Sequence, residues 1–182
     1  MSSEPASGVG LYNPKDNKLL SFYTQRKKFL SGEDTPRKYF ERCLQVIKEC
    51  NAEVKAWAFD NTNRAREMAD AATKRYANKK PLSIIDGMPI GIKDLIETAD
   101  MPTEYNCELF HGNQPIRDAA SVYYLRKGGA VLMGKTVTVT LGGGDPSITR
   151  NPYDLRRTPG GSSSGTCAAV GAGMIPGGLG TH

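Results

Sequence analysis

Helical and strand-like patterns alternate along this 182-residue sequence, and the alternation predicts an α/β fold. Composition agrees with a folded domain, because 38% of the residues are apolar and 20 glycines bring the combined share into the usual globular range. The longest apolar stretches, such as residues 168–175, fall far short of the ~20 residues that span a bilayer, so no membrane helix is expected. Residues 1–17 are polar and rich in Ser, Pro, Gly and Asn, and read as a flexible N-terminal arm before a single folded unit at 18–182.

Leu19, Leu20, Phe22, Tyr23, Phe29 and Leu30 mark a first helix, broken at Ser31-Gly32-Glu33-Asp34. Thr35 is placed to cap a second helix with Pro36 in its first turn, and Tyr39, Phe40, Cys43, Leu44, Ile47 and Cys50 recur at three- and four-residue steps. Val54 to Phe59 reads as a short strand. A third helix over 64–77 buries Ala65, Met68, Ala69, Ala72 and Tyr76. Residues 84–94 read as a turn, punctuated by Gly87 and Pro89, that feeds a buried strand. Asp118 is placed to cap a fourth helix that stops at Gly128, and 131–140 is β-rich. Residues 142–165 then form a long loop with six glycines and three prolines, followed by a helix of small residues over 166–175 and a last apolar step at Pro176-Gly177-Gly178. A loop that long inside a compact domain is usually functional.

Several function classes fall away. The net charge of +5 invites a nucleic-acid partner, but the basic pairs (Arg26-Lys27-Lys28, Arg37-Lys38, Lys74-Arg75, Lys79-Lys80, Arg126-Lys127, Arg156-Arg157) are scattered over helix faces and loops, as on a solvated surface. Cys43, Cys50, Cys107 and Cys167 stand singly, which suits small buried hydrophobes better than disulfides or paired thiolates. The two histidines, His111 and His182, are too few for a closed zinc site or a convincing Ser-His-Asp triad. No secretory signal opens the sequence and no Asn-x-Ser/Thr sequon occurs, so a cytoplasmic location is expected. Gly129-Ala130-Val131-Leu132-Met133-Gly134-Lys135-Thr136 matches the phosphate-loop pattern letter for letter. The context is reversed, however: a helix precedes the motif, its interior is strand-like, and β-branched alternation follows, so a nucleotide-binding protein is disfavoured.

Two features carry chemistry. Pro159-Gly160-Gly161-Ser162-Ser163-Ser164-Gly165 gathers hydroxyls and amides at the start of a helix, where developing negative charge is stabilised. Lys93 reads as the only lysine embedded in an apolar strand; burial lowers a lysine's pKa, and a neutral amine can act as a base. Strand alternation puts Asp94 on the opposite face, away from Lys93.

Gly87-Met88-Pro89-Ile90-Gly91-Ile92-Lys93-Asp94, Asp118-Ala119-Ala120-Ser121-Val122, Gly134-Lys135-Thr136, Arg150-Asn151-Pro152-Tyr153-Asp154 and the glycine-serine turn at 159–165 follow one another as in the amidase signature family, which the chain resembles from about Thr35 onward. The resemblance implies a mixed β-sheet flanked by helices, with 18–182 as the N-terminal part of one such domain. It also implies hydrolysis of a carboxylic amide to an acid and ammonia or an amine by a Ser-Ser-Lys triad, without metal or organic cofactor. Lys93 then matches the catalytic lysine and Ser162 the bridging serine that follows a cis peptide bond, with Gly160, Gly161, Ser163, Ser164 and Gly165 as the supporting turn. The expected partner is a small amide substrate, with no nucleic acid or membrane, and self-association is left open.

One departure is severe. In the family the nucleophile lies in a Gly-(Gly/Ala)-Ser turn shortly after Gly-Leu-Gly-Thr, and here Gly178-Leu179-Gly180-Thr181 is followed only by His182. The expectation is an incomplete, truncated amidase-signature fold that lacks the nucleophile and is inactive by itself. A lesser departure is Thr140, where relatives often carry an acidic residue. The alternative is a non-catalytic truncated paralogue acting through protein contacts. Within the family the reading favours a general amidase, although the motifs do not separate it from a component of an amidotransferase or a hydrolase of urea-like substrates.

Overall fold

The computed structural model describes residues 21–182, so the N-terminal arm and the start of the first helical pattern lie outside the described residues. Helix α1 (Phe22–Ser31) stops at Gly32, whose φ of 79° is left-handed and whose N–H donates to Phe29 O. Helix α2 (Pro36–Val54) starts at Thr35, whose hydroxyl accepts the Lys38 N–H at 3.2 Å. Its stripe of Tyr39, Phe40, Cys43, Leu44 and Cys50 is buried. The stripe continues by one more i,i+4 step to Val54, which is why the helix runs through the position where a strand was expected to begin. Lys55, at φ 54°, turns the chain into β1 (Trp57–Asp60). Helix α3 (Thr62–Ala77) lies on α2 through Ala65, Ala69, Ala72 and Tyr76. Phe29 meets the rings of Tyr76 and Tyr39 edge-on at 5.3 and 5.9 Å, tying all three helices together.

The remaining elements are β2 (Pro89–Lys93), α4 (Ala120–Lys127), β3 (Val131–Thr136), α5 (Ser164–Gly171) and β4 (Gly177–Leu179). The strands form a mixed sheet in the order β1-β3-β2-β4, with β2 parallel to β3 and β4, and β1 antiparallel to β3. One apolar cluster joins α1, α2, α3 and α5 to Val131 and Met133, and a second joins Val122 of α4 and Met101 to Ile90, Ile92 and Leu132. The sheet is therefore covered on both faces, as parallel pairing requires. Strand β3 carries one extra residue, Met133, between the pairs Ile90↔Leu132 and Gly91↔Gly134, and such an insertion reverses which face the following residues use.

Several boundaries differ from expectation. Asp118 does not cap α4, whose N-cap is Ala119; its carboxylate is drawn to Arg126 Nε at 2.8 Å and to the Ala99 N–H at 2.8 Å. The β-rich run after Thr136 leaves the ladder and ends in a 3₁₀ turn, Thr140–Gly142. Helix α5 begins two residues early and stops at Gly171, before the left-handed Gly173 at φ 69°. Cys43 and Cys50 are buried, but Cys107 is half-buried and Cys167 exposed, because α5 packs inward through Gly165, Ala168 and Ala169. Many basic side chains are held by carboxylates: Arg37 by Asp70 and Glu41, Arg75 by Asp86, Arg126 by Asp100 and Asp118. No described helix is long and apolar enough to cross a membrane.

Candidate active site

Three chain segments that are distant in sequence meet at the end of β2. Lys93, the last residue of the strand, is fully buried, and its Nζ stands 2.6 Å from Ser162 Oγ and 2.6 Å from Thr181 Oγ1. No carboxylate lies within ion-pair distance of it among the described residues. Burial therefore acts almost unopposed and holds the Lys93 pKa below the ordinary lysine value, which favours the neutral amine.

The glycine-serine turn is bound to the extended continuation of β3. The Gly161–Ser162 peptide is cis, and the Ser162 carbonyl accepts from Thr138 Oγ1 and from the Val139 N–H, both at 3.1 Å. Ser163 leaves its N-cap hydroxyl unused for α5 and turns it to the last residues of the chain, donating to Thr181 O and accepting the Thr181 N–H, each at 3.1 Å. Ser164 is buried against Ser147, with the hydroxyl oxygens 2.7 Å apart. The Gly165 N–H donates to Val137 O at 2.8 Å, and a Cβ at Gly165 would overlap the Ala56 carbonyl and the Val137 nitrogen. Only glycine allows α5 to start that close to the sheet. Beside Ser162 lies a cavity of about 360 Å³, walled by Val139, Pro146 and Thr158 and floored by glycines 142–144 and 160–161.

The structure thus brings together Lys93, Ser162 and the supporting residues Gly160, Gly161, Ser163, Ser164 and Gly165. It adds Thr181, which sequence reasoning passed over as part of a run that merely leads onward; its one signal was a hydroxyl two residues beyond the glycine-rich strand β4. It also corrects the reading of Lys93 as the only lysine in an apolar strand. Lys135 of β3 is equally buried. Its Nζ donates to Pro102 O at 3.0 Å and Thr103 Oγ1 at 2.6 Å and lies 3.3 Å from Asp94 Oδ1. Burial lowers the Lys135 pKa, and the Asp94 carboxylate opposes that fall. Asp94 also accepts the Glu104 N–H at 3.1 Å, so the pair staples the 94–106 segment to the sheet. The phosphate-loop match at 129–136 is largely β3 itself, with no helix starting at Lys135. Among the described residues no cluster of three His, Cys, Asp or Glu side chains is placed to hold a metal ion, and His111 Nδ1 lies 3.2 Å from Glu104 Oε1.

The chain is similar to known proteins in both sequence and fold. The Amidase family model matches residues 38–182. A glutamyl-tRNA(Gln) amidotransferase component from Chloroflexus aggregans is 37% identical over 157 residues, covering 83% of this chain and 32% of that protein. The putative amidase AmiB2 of Mycobacterium tuberculosis (strain H37Rv) is 36% identical over 178 residues, covering 93% of this chain and 37% of that one. The native peptide amidase of Stenotrophomonas maltophilia superposes with a TM-score of 0.80 at 26% identity, covering 87% of this chain and 35% of its own. A chain from a vestigial protein complex, tied to the evolutionary origins of an s-triazine catabolic enzyme, superposes with a TM-score of 0.83 at 29% identity over 88% of this chain and 37% of its own. The chain spans about a third of the length of the curated relatives it matches.

Proposed function

Because the chain belongs to the amidase family, we propose that it carries the lysine and bridging-serine half of a Ser-Ser-Lys site that hydrolyses carboxylic amides. The observation that carries the reading is the buried Lys93 amine, partnered by two hydroxyls and by no carboxylate among the described residues. A neutral amine there accepts the Ser162 proton, and Ser162 Oγ in turn accepts a proton from the nucleophilic serine, for which none of these 182 residues is assigned. The nucleophile adds to the amide carbonyl, backbone N–H groups stabilise the oxyanion, and the relayed proton passes to the departing nitrogen, which leaves as ammonia or an amine. Water, deprotonated by the same relay, releases the acid from the acyl-enzyme.

The test is amide hydrolysis by this chain and by the longest protein its gene encodes. The expected outcome is turnover only in a form that supplies the nucleophile, with Lys93→Ala lowering kcat by about 10²–10⁴-fold and Ser162→Ala also impaired. Clear turnover by the 182-residue chain would overturn the incomplete-site reading, and near-normal kcat in Lys93→Ala would remove Lys93 from its role. Failure of every form to cleave amides would favour the non-catalytic paralogue. A second reading, amidotransferase activity, is supported by the 37% identity to the Chloroflexus protein. Hydrolysis with water alone supports the amidase, and turnover seen only with a glutamyl-tRNA present supports the amidotransferase.

A further inference from the structure

The cavity beside Ser162 holds about 360 Å³, while roughly 150 Å³ of apolar cavity suffices to hold a benzene ring. None of the described residues lining it is ionisable. Arg156 and Arg157, from the same loop, both turn to Asp154, at 2.9 and 3.1 Å. A carboxylate or ammonium resting against such a lining trades part of its hydration for uncharged neighbours, whereas an uncharged ring loses nothing comparable. The floor is glycine for two different reasons. Gly142 and Gly160 have left-handed φ values of 80° and 92°, and a Cβ at Gly144 would come 2.8 Å from Thr140 O, so the backbone itself demands glycine there. Gly143 is different: its φ is −149°, which any residue adopts, and a Cβ there meets nothing within 4 Å. Its missing side chain leaves open space and serves no backbone need.

We infer that this cavity is the subsite for the group attached to the scissile amide, that it selects an uncharged substituent about the size of an aromatic ring, and that the bare Gly143 sets its capacity. The inference rests on the amide-hydrolysis reading for where the substrate enters. The substrate class is then a neutral, ring-bearing carboxamide, and a side chain at position 143 narrows the class to small amides.

Binding is tested on the chain itself by titrating the ¹⁵N-labelled protein with benzamide and, separately, with its charged counterpart 4-carboxybenzamide. Benzamide is expected to shift the backbone amides of 142–144 and 160–162 saturably, 4-carboxybenzamide to leave them in place, and Gly143→Leu to lose the benzamide response at least about tenfold, the scale on which apolar pockets discriminate. Equal response to the carboxylate, an unchanged response in Gly143→Leu, or no response to benzamide overturns the inference. Hydrolysis by the longest gene product separates the two readings. Selective benzamide binding without cleavage of any amide overturns the proposed reaction alone. Amide cleavage in which Gly143→Leu lowers kcat/KM for acetamide and benzamide equally overturns the subsite alone.

Discussion

Two lysines sit on neighbouring strands, each fully buried, and their surroundings give them opposite characters. Lys135 reaches a carboxylate, a hydroxyl and a carbonyl oxygen, the partner set of an ammonium. Lys93 reaches two hydroxyls, and a hydroxyl can give a proton to an amine as readily as take one. Desolvation presses on both in the same direction, so the carboxylate is what separates a lysine that braces the fold from one fit to act as a base. The comparison also shows why the two do not interfere. Lys93 is level with Thr136 in the β2–β3 register and Lys135 with Ile92, so the side chains leave the sheet on different faces.

The sharpest way to break this contrast is to take away the carboxylate. Asp94→Asn strands a buried ammonium, and the expected loss is about 3–5 kcal/mol of unfolding free energy in urea titration, with the double variant Asp94→Asn/Lys135→Met recovering part of it. Hydroxyl deletions come next. Thr103→Val removes a bond to a charged donor and is expected to cost about 1.5–3 kcal/mol.

A third prediction concerns pH. With its folded pKa lowered, Lys93 is protonated more readily in the unfolded chain, so its burial costs stability at neutral pH, and the cost fades as pH rises from the folded-state pKa towards the ordinary lysine value. Lys93→Met is therefore expected to be more stable to unfolding than the unaltered chain at pH 7, by about 1.4 kcal/mol for each unit of depression, with the advantage closing near pH 10.4. The difference between the two proteins is the diagnostic quantity, because burial also pushes the Cys43 thiol up to about 12, which erodes stability over the same alkaline range in both. The smallest effect is expected for Thr181→Val, which removes a neutral hydrogen-bond partner at about 0.5–1.5 kcal/mol. A Thr181 deletion as costly as that of Thr103 would mean that Lys93 is charged and would dissolve the contrast.

What was legible in the sequence divides along the same line. Helix α2 could be read from its cap and stripe, the buried strand ending in Lys93 from its unbroken apolar run, and the glycine-serine turn from its chemistry, because each signal lies within a few residues. Lys135 was missed because its burial depends on an insertion. Alternation from Val131 through Met133 places residue 135 on the α5 side of the sheet, and only the extra residue, with Gly134 pressed against the Phe59 carbonyl, redirects it towards Asp94. Asp118 was misread because its capping geometry was outcompeted by Arg126, eight residues away. Thr181 carried only the faint signal of a hydroxyl after glycines, since its meaning comes from a side chain 88 residues earlier.

That last separation bears on the order in which the protein acquires its structure. Helices α1 to α3 follow one another within 56 residues, with only β1 between α2 and α3, whereas Lys93 waits for partners 69 and 88 positions downstream, and β1 for a strand beginning more than seventy residues beyond it. Closing large loops before any contact rewards them is what slows folding. The helical layer therefore takes shape early, and the pairing of Lys93 with Ser162 and Thr181 is among the last events. A nascent or stressed chain can thus hold most of its helix before Lys93 has met Ser162 and Thr181.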